Sequence, residues 1–178
     1  MGLSHARALA AAWRVPFLSV NHLEAHLLAP LLDDPAPQFP FLSLVVSGGH
    51  TTLYLAEGVG RYTVLSQTID DAAGEAYDKV ARMLGLGYPG GPHIDRLAAS
   101  GDPAAVAFPR PRVKELRQSR RRGQVIRRTK MDMSFSGLKT AVRNHVIREE
   151  RASDADVAAS FQAALVDVLL DRIRKAVQ

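Results

Sequence analysis

The stretch Leu42–Leu55, LSLVVSGGHTTLYL, restricts this chain more than any other. Apolar, β-branched runs on either side of paired glycines predict a β-hairpin that turns at Ser47-Gly48-Gly49-His50-Thr51. Two glycines let a backbone come close to a ligand, and successive N–H groups in such a turn can form a nest for an anion. Ser47, His50 and Thr51 add hydroxyl and imidazole groups around it. The same residues also suit an ordinary tight turn, with Ser and Thr as turn formers. The turn by itself leaves both readings open.

A chain of 178 residues, 47% hydrophobic, can bury a core, as one domain or as a piece of a larger one. The absence of cysteine excludes a disulfide scaffold and thiolate metal sites, and fits a cytoplasmic protein. No apolar run approaches the roughly 20 residues of a membrane span. The Ala-rich N-terminal run has no basic region before it, so it reads as an amphipathic helix rather than a signal peptide. Charge is unevenly spread. Of 23 Lys and Arg, ten lie between Arg110 and Lys130, against a single acid, Glu115. That segment carries +9; the remainder, with 13 basic and 17 acidic residues, carries −4. A block of this kind attracts polyanions, nucleic acid first, unless it is only a solvated loop.

In chain order, Gly2–Trp13 suits a helix, Pro16 opens an expected strand at Phe17–Val20, and Asn21 caps a helix over His22–Leu32 that Pro30 ends or kinks. His22 and His26 sit four apart on that helix, so both imidazoles project from one face and can share a metal ion; such a pair also arises by chance. Glu24 points away from that face, unlike the acid of a zincin His-Glu-x-x-His motif. Asp33–Pro40 is a Pro-rich linker, and Tyr62–Thr68 a third strand after the hairpin. In IDDAAGEAYDKVARMLGLGYPGGP, Asp70 or Asp71 is expected to cap a helix closing at Met83–Leu84, before Gly85. A second glycine turn, Tyr88–Pro92, opens a short helix containing Asp95. Beyond the basic block, Ser136 is expected to cap a helix to about Glu150, and Ser153 or Asp154 a long amphipathic helix to the end.

Taken in order, NHLEAH, VVSGGHT, IDDAAGEAYDK, YPGGP, FPRP and SFSGLKT strongly resemble the tRNA threonylcarbamoyladenosine family (TsaD), formerly known as O-sialoglycoprotein endopeptidase. The resemblance covers most of the chain. It implies an α/β protein with part of the two-lobed actin, heat-shock-protein and sugar-kinase-like (ASKHA) fold, a mixed sheet with flanking helices. It also implies transfer of a threonylcarbamoyl group from threonylcarbamoyl-AMP to the adenosine beside the anticodon of tRNA. By the same resemblance, His22 and His26 match two ligands of an Fe2+ or Zn2+ ion. Val45, Val46, Ser47, Gly48 and Gly49 match the substrate-phosphate loop, Asp78 a contact to the ribose or adjoining groups, and Gly91 and Asp95 further nucleotide contacts. No protein nucleophile is required. Partners implied are tRNA, a paralogue that heterodimerises, and an ATPase; no membrane is involved.

The departures are as informative. The family's N-terminal strand and first phosphate loop are not found, nor its C-terminal lobe with the third metal ligand. The chain therefore resembles an internal fragment. Residues 1–109 correspond to most of the first lobe, 110–130 to a basic linker or insertion, and 131–178 to the helical start of the second. Weak or no activity is expected of it. The alternatives are a non-catalytic remnant that binds tRNA or a partner, and a metalloprotease, which the misplaced Glu24 disfavours.

Overall fold

The computed structural model describes residues 2–113, 116–121, 124–148 and 152–178. They form two compact units that part between Pro37 and Gln38, inside the Pro-rich linker. In the first, helix α1 (Gly2–Trp13) is followed by α2 (His22–Leu28), which gives way to a 3-10 turn at Ala29–Leu32 where Pro30 has no N–H to continue the α-helical ladder. Asn21 caps α2 as expected, its Oδ1 accepting from the N–H groups of Leu23 at 2.9 Å and Glu24 at 3.3 Å. The strand expected at Phe17–Val20 is not formed. A strand needs a neighbour for its N–H and C=O groups, and among the described residues none pairs here; Leu18 and Val20 stand in solvent.

The second unit opens with the antiparallel meander β1 (Phe41–Val46), β2 (Thr51–Gly58) and β3 (Arg61–Gln67), in spatial order β1-β2-β3. The hairpin register pairs Val46 with Thr51 across the predicted turn. Four helices follow: α3 (Ala73–Met83), α4 (Gly90–Ala98), α5 (Ser136–Ile147) and α6 (Asp154–Val177). Their apolar faces form one core in which Val80, Ile94, Phe135, Leu138, Val142 and Phe161 are fully buried. The fold is thus α/β. Between α4 and α5 the basic block contains a second antiparallel hairpin, β4 (Leu116–Arg121) and β5 (Gln124–Arg128). No helix among the described residues is long and apolar enough to cross a membrane.

Two caps differ from expectation. Neither Asp70 nor Asp71 caps α3, whose N-cap is Ala72, and Ser136 is the first residue of α5 rather than its cap. Asp70 instead closes the start of α5 from 64 to 66 residues away. Its carboxylate accepts from Ser134 Oγ (2.5 Å), Ser136 Oγ (2.8 Å) and the N–H groups of Phe135 (2.8 Å) and Ser136 (3.2 Å). Burial pushes this carboxyl up, but the four hydrogen bonds outweigh it and hold it below the usual carboxylate range. Asp71 accepts from Lys139 Nζ at 2.7 Å and Lys79 Nζ at 2.8 Å. The motifs IDDAAGEAYDK and SFSGLKT are therefore the two halves of one clasp. Ser153 does cap α6, in a capping box with Asp156.

Candidate functional site

The turn between β1 and β2 is organised by Ser47. Its N–H donates to the His50 carbonyl at 2.8 Å, and its hydroxyl accepts from the N–H groups of His50 (3.0 Å) and Gly49 (3.3 Å). The turn then meets the start of α3. Thr51 Oγ1, buried, accepts from the Ala73 N–H at 2.8 Å, and the Ser47 carbonyl accepts from the Gly74 N–H at 3.2 Å. Two of the amides that a helix start leaves unpaired are satisfied in this way. Gly74 makes the approach possible: a Cβ there would lie 2.7 Å from the Ser47 carbonyl oxygen and 2.8 Å from the Gly48 nitrogen.

The second glycine turn docks on α3 by the same means. Asp78 Oδ1 accepts from the Gly90 N–H at 2.7 Å, and a Cβ on Gly90 would fall 2.7 Å from both the Ala81 Cβ and the Asp78 Cα. Gly91 is the opposite case, since an added Cβ meets nothing within 4 Å. Between the two turns lies a cleft of about 430 Å3, lined by Gly48, Gly74, Tyr77, Asp78, Tyr88, Pro89, Gly91, Pro92, Asp95 and Gln162.

Four residues singled out in the sequence, Gly48, Asp78, Gly91 and Asp95, thus share one cleft although 47 positions separate the first from the last. Val45 is buried in β1, and neither Val46 nor Ser47 nor Gly49 lines the cleft; they shape the turn that borders it. Tyr77, Tyr88 and Gln162 were not foreseen. Gln162 comes from α6 and donates Nε2–H to Asp95 Oδ1 at 3.1 Å, while its Oε1 is buried without a hydrogen-bond partner among the described residues. Burial, and then the charge of Asp95, push the Tyr77 hydroxyl up to about 12, so it stays a donor at neutral pH. Tyr77 adjoins Asp78 in the motif and could have been read; nothing around Gln162 signals it.

A model of the TsaD family, tRNA N6-adenosine threonylcarbamoyltransferase, matches residues 1–178. The chain belongs to this family. It is similar to the tRNA N6-adenosine threonylcarbamoyltransferases of Bordetella petrii (50% identity, 100% of this chain, 49% of the relative) and Thiobacillus denitrificans (52%, 97% and 47%). That of Geotalea uraniireducens is 51% identical, with 99% and 49% covered. The chain spans about half the length of these TsaD relatives.

The TsaD resemblance also implies a metal ion, and the first unit supplies two donors for one. His22 and His26, both exposed on α2, place their rings 4.5 Å apart between centroids at 72° to one another. Two neutral imidazoles one turn apart suit borderline cations such as Zn2+ and Fe2+. Among the described residues no third His, Cys, Asp or Glu gathers with them. The pair fits as two points of attachment, with the remaining positions open to other ligands.

Proposed function

We propose that the cleft binds threonylcarbamoyl-AMP and that the chain serves transfer of its threonylcarbamoyl group to the N6 amine of the adenosine beside the anticodon in tRNA. The observation that carries this reading is the convergence of Gly48, Asp78, Gly91 and Asp95 on one cleft. The chemistry suits it. The amine nitrogen attacks the carbamoyl carbon, the bond from that carbon to the phosphate oxygen breaks, AMP leaves with the electron pair, and the amine gives up a proton. Gly48, the residue of the glycine pair that lines the cleft, would offer its backbone N–H to the phosphate oxygens, where charge grows as AMP departs, while the Gly49 N–H is held by the Ser47 hydroxyl and shapes the turn. Asp78 and Asp95 each commit Oδ1 within the protein, to Gly90 and Gln162, which leaves Oδ2 for ribose hydroxyls. Gly91 leaves space for the nucleotide. His22 and His26 would hold Fe2+ or Zn2+, which supplies Lewis-acid chemistry when bound. The reaction would proceed in the cytoplasm with a paralogous subunit and an ATPase as partners.

Calorimetric titration with AMP and with a non-hydrolysable threonylcarbamoyl-adenylate analogue tests the cleft. The parent chain should bind both, and Asp95→Asn should weaken binding about tenfold. A folded parent that binds neither ends this reading. The metal is tested separately by titrating Fe2+ and Zn2+ into the parent, His22→Ala and His26→Ala. Each variant should lose the ion, and retention in both would remove the histidines from the assignment.

A further inference from the structure

The motif Phe108-Pro109-Arg110-Pro111-Arg112 and the basic block play no part in the cleft. They lead to a second recess, of about 210 Å3, formed by Arg110, Arg112, Arg172 and Arg174 together with Asp167 and Asp171. The four arginines divide into two pairs. Arg110 donates to Asp167 Oδ2 through Nε at 3.0 Å and Nη2 at 2.9 Å, and to the Phe108 carbonyl through Nη1 at 2.7 Å. Arg172 is buried, donating to the Asp132 carbonyl at 3.3 Å and pairing with Asp171. Those two build the walls. Arg112 and Arg174 are exposed at the rim of the recess; no hydrogen bond or salt bridge ties either to a described residue, although the charge of Arg112 helps hold the Asp171 carboxyl below its usual range. Four positions after Arg112 the chain enters β4, and the β4–β5 hairpin carries Arg117, Arg120, Arg121, Arg127 and Arg128.

We propose that this recess and the adjoining hairpin are a surface for the phosphates of an RNA backbone, with Arg112 and Arg174 as two of its contacts. The inference rests on tRNA being the substrate. Planar guanidinium forks match phosphate oxygens, and partly desolvated walls strengthen the contact. The extent of the surface favours RNA over a small anion. A six-residue strand reaches about 20 Å at ~3.4 Å per residue, enough for several consecutive nucleotides. The −4 remainder of the chain makes this segment the part that a polyanion would meet.

The test measures binding of an unmodified tRNA transcript to the full chain across a salt series, beside Arg112→Gln/Arg174→Gln and Arg112→Lys/Arg174→Lys, with AMP titrated into each. The Gln pair should lower the slope of log affinity against log salt by about 1.4 to 1.8, at roughly 0.7–0.9 per phosphate contact, leaving AMP binding and melting temperature unchanged. The Lys pair should keep most of the slope. An unchanged slope in the Gln pair overturns the surface and leaves the transferase reading standing. A lowered slope in a chain that never binds AMP supports the surface and sinks the transferase reading. Displacement of tRNA by millimolar inorganic phosphate, equal to that caused by chloride of the same ionic strength, supports an extended surface. Displacement specific to phosphate shows a single-anion pocket and overturns it.

Discussion

At Gly74 a methyl group has no room, because it would stand 2.7 Å from the Ser47 carbonyl oxygen, and neither backbone can yield without parting α3 from the turn. Gly74→Ala is expected to cost about 1–3 kcal/mol, read from urea melts, and to weaken AMP binding as well. At Gly91 the same methyl group meets only open space. Gly91→Ala should therefore keep or raise stability, by up to ~1 kcal/mol from helix propensity, yet weaken AMP binding at least tenfold, because the methyl group projects where ligand is expected. Loss of stability in Gly91→Ala would show that the site is packed rather than open; full affinity would remove Gly91 from the ligand contacts. The two substitutions separate folding from binding on one wall of the cleft.

Among the elements, the start of α5 depends on Asp70 rather than on a local cap. Asp70→Ala would leave two amides and two hydroxyls without their acceptor, an expected loss of about 2–4 kcal/mol. The sign with pH follows from the lowered carboxyls. Asp70, and likewise Asp71, where Lys139 and Lys79 outweigh burial, take up protons more readily unfolded than folded. Their stabilisation is whole above the unfolded value of roughly 3.9 and is lost as pH falls through the lower folded values. Melts from pH 6 to pH 3 should show a steeper acid decline in the parent than in Asp70→Ala; parallel curves would contradict the clasp. Sequence rules place caps within two or three residues, so Asn21 and Ser153 were legible and so was the glycine turn. The same rules assigned Asp70 or Asp71 to α3, their sequence neighbour, because a contact across 64 residues leaves no local pattern. Phe17–Val20 has strand propensity, but propensity supplies no partner. Gln162 enters the cleft only because α6 packs against α4.

For the molecule as a whole, several large apolar side chains stand in water: Leu32 is 90% exposed, Leu18 87%, Tyr88 84% and Trp13 68%. β1 is an edge strand of its sheet. Self-association that grows with concentration is expected, measured by sedimentation velocity, and Leu18→Ser should reduce it; a parent that stays monomeric throughout would contradict this. The basic hairpin belongs to the same scale. Its leading foot is tied by Arg110 to Asp167, and its trailing foot by Ser66 Oγ to the Met131 carbonyl at 2.5 Å and by the Thr68–Met133 bridge. None of these ties includes a residue of β4 or β5. Closing a loop costs free energy only as the logarithm of its length, so halving or doubling the span between the feet shifts stability by about 0.6 kcal/mol. The named anchors all lie outside β4 and β5, so in loop-closure terms the span between them is a tether. It can be shortened, lengthened or recharged with the melting temperature moving by only ~2 °C, which makes it the part of the chain where affinity for a polyanion can change while the fold does not.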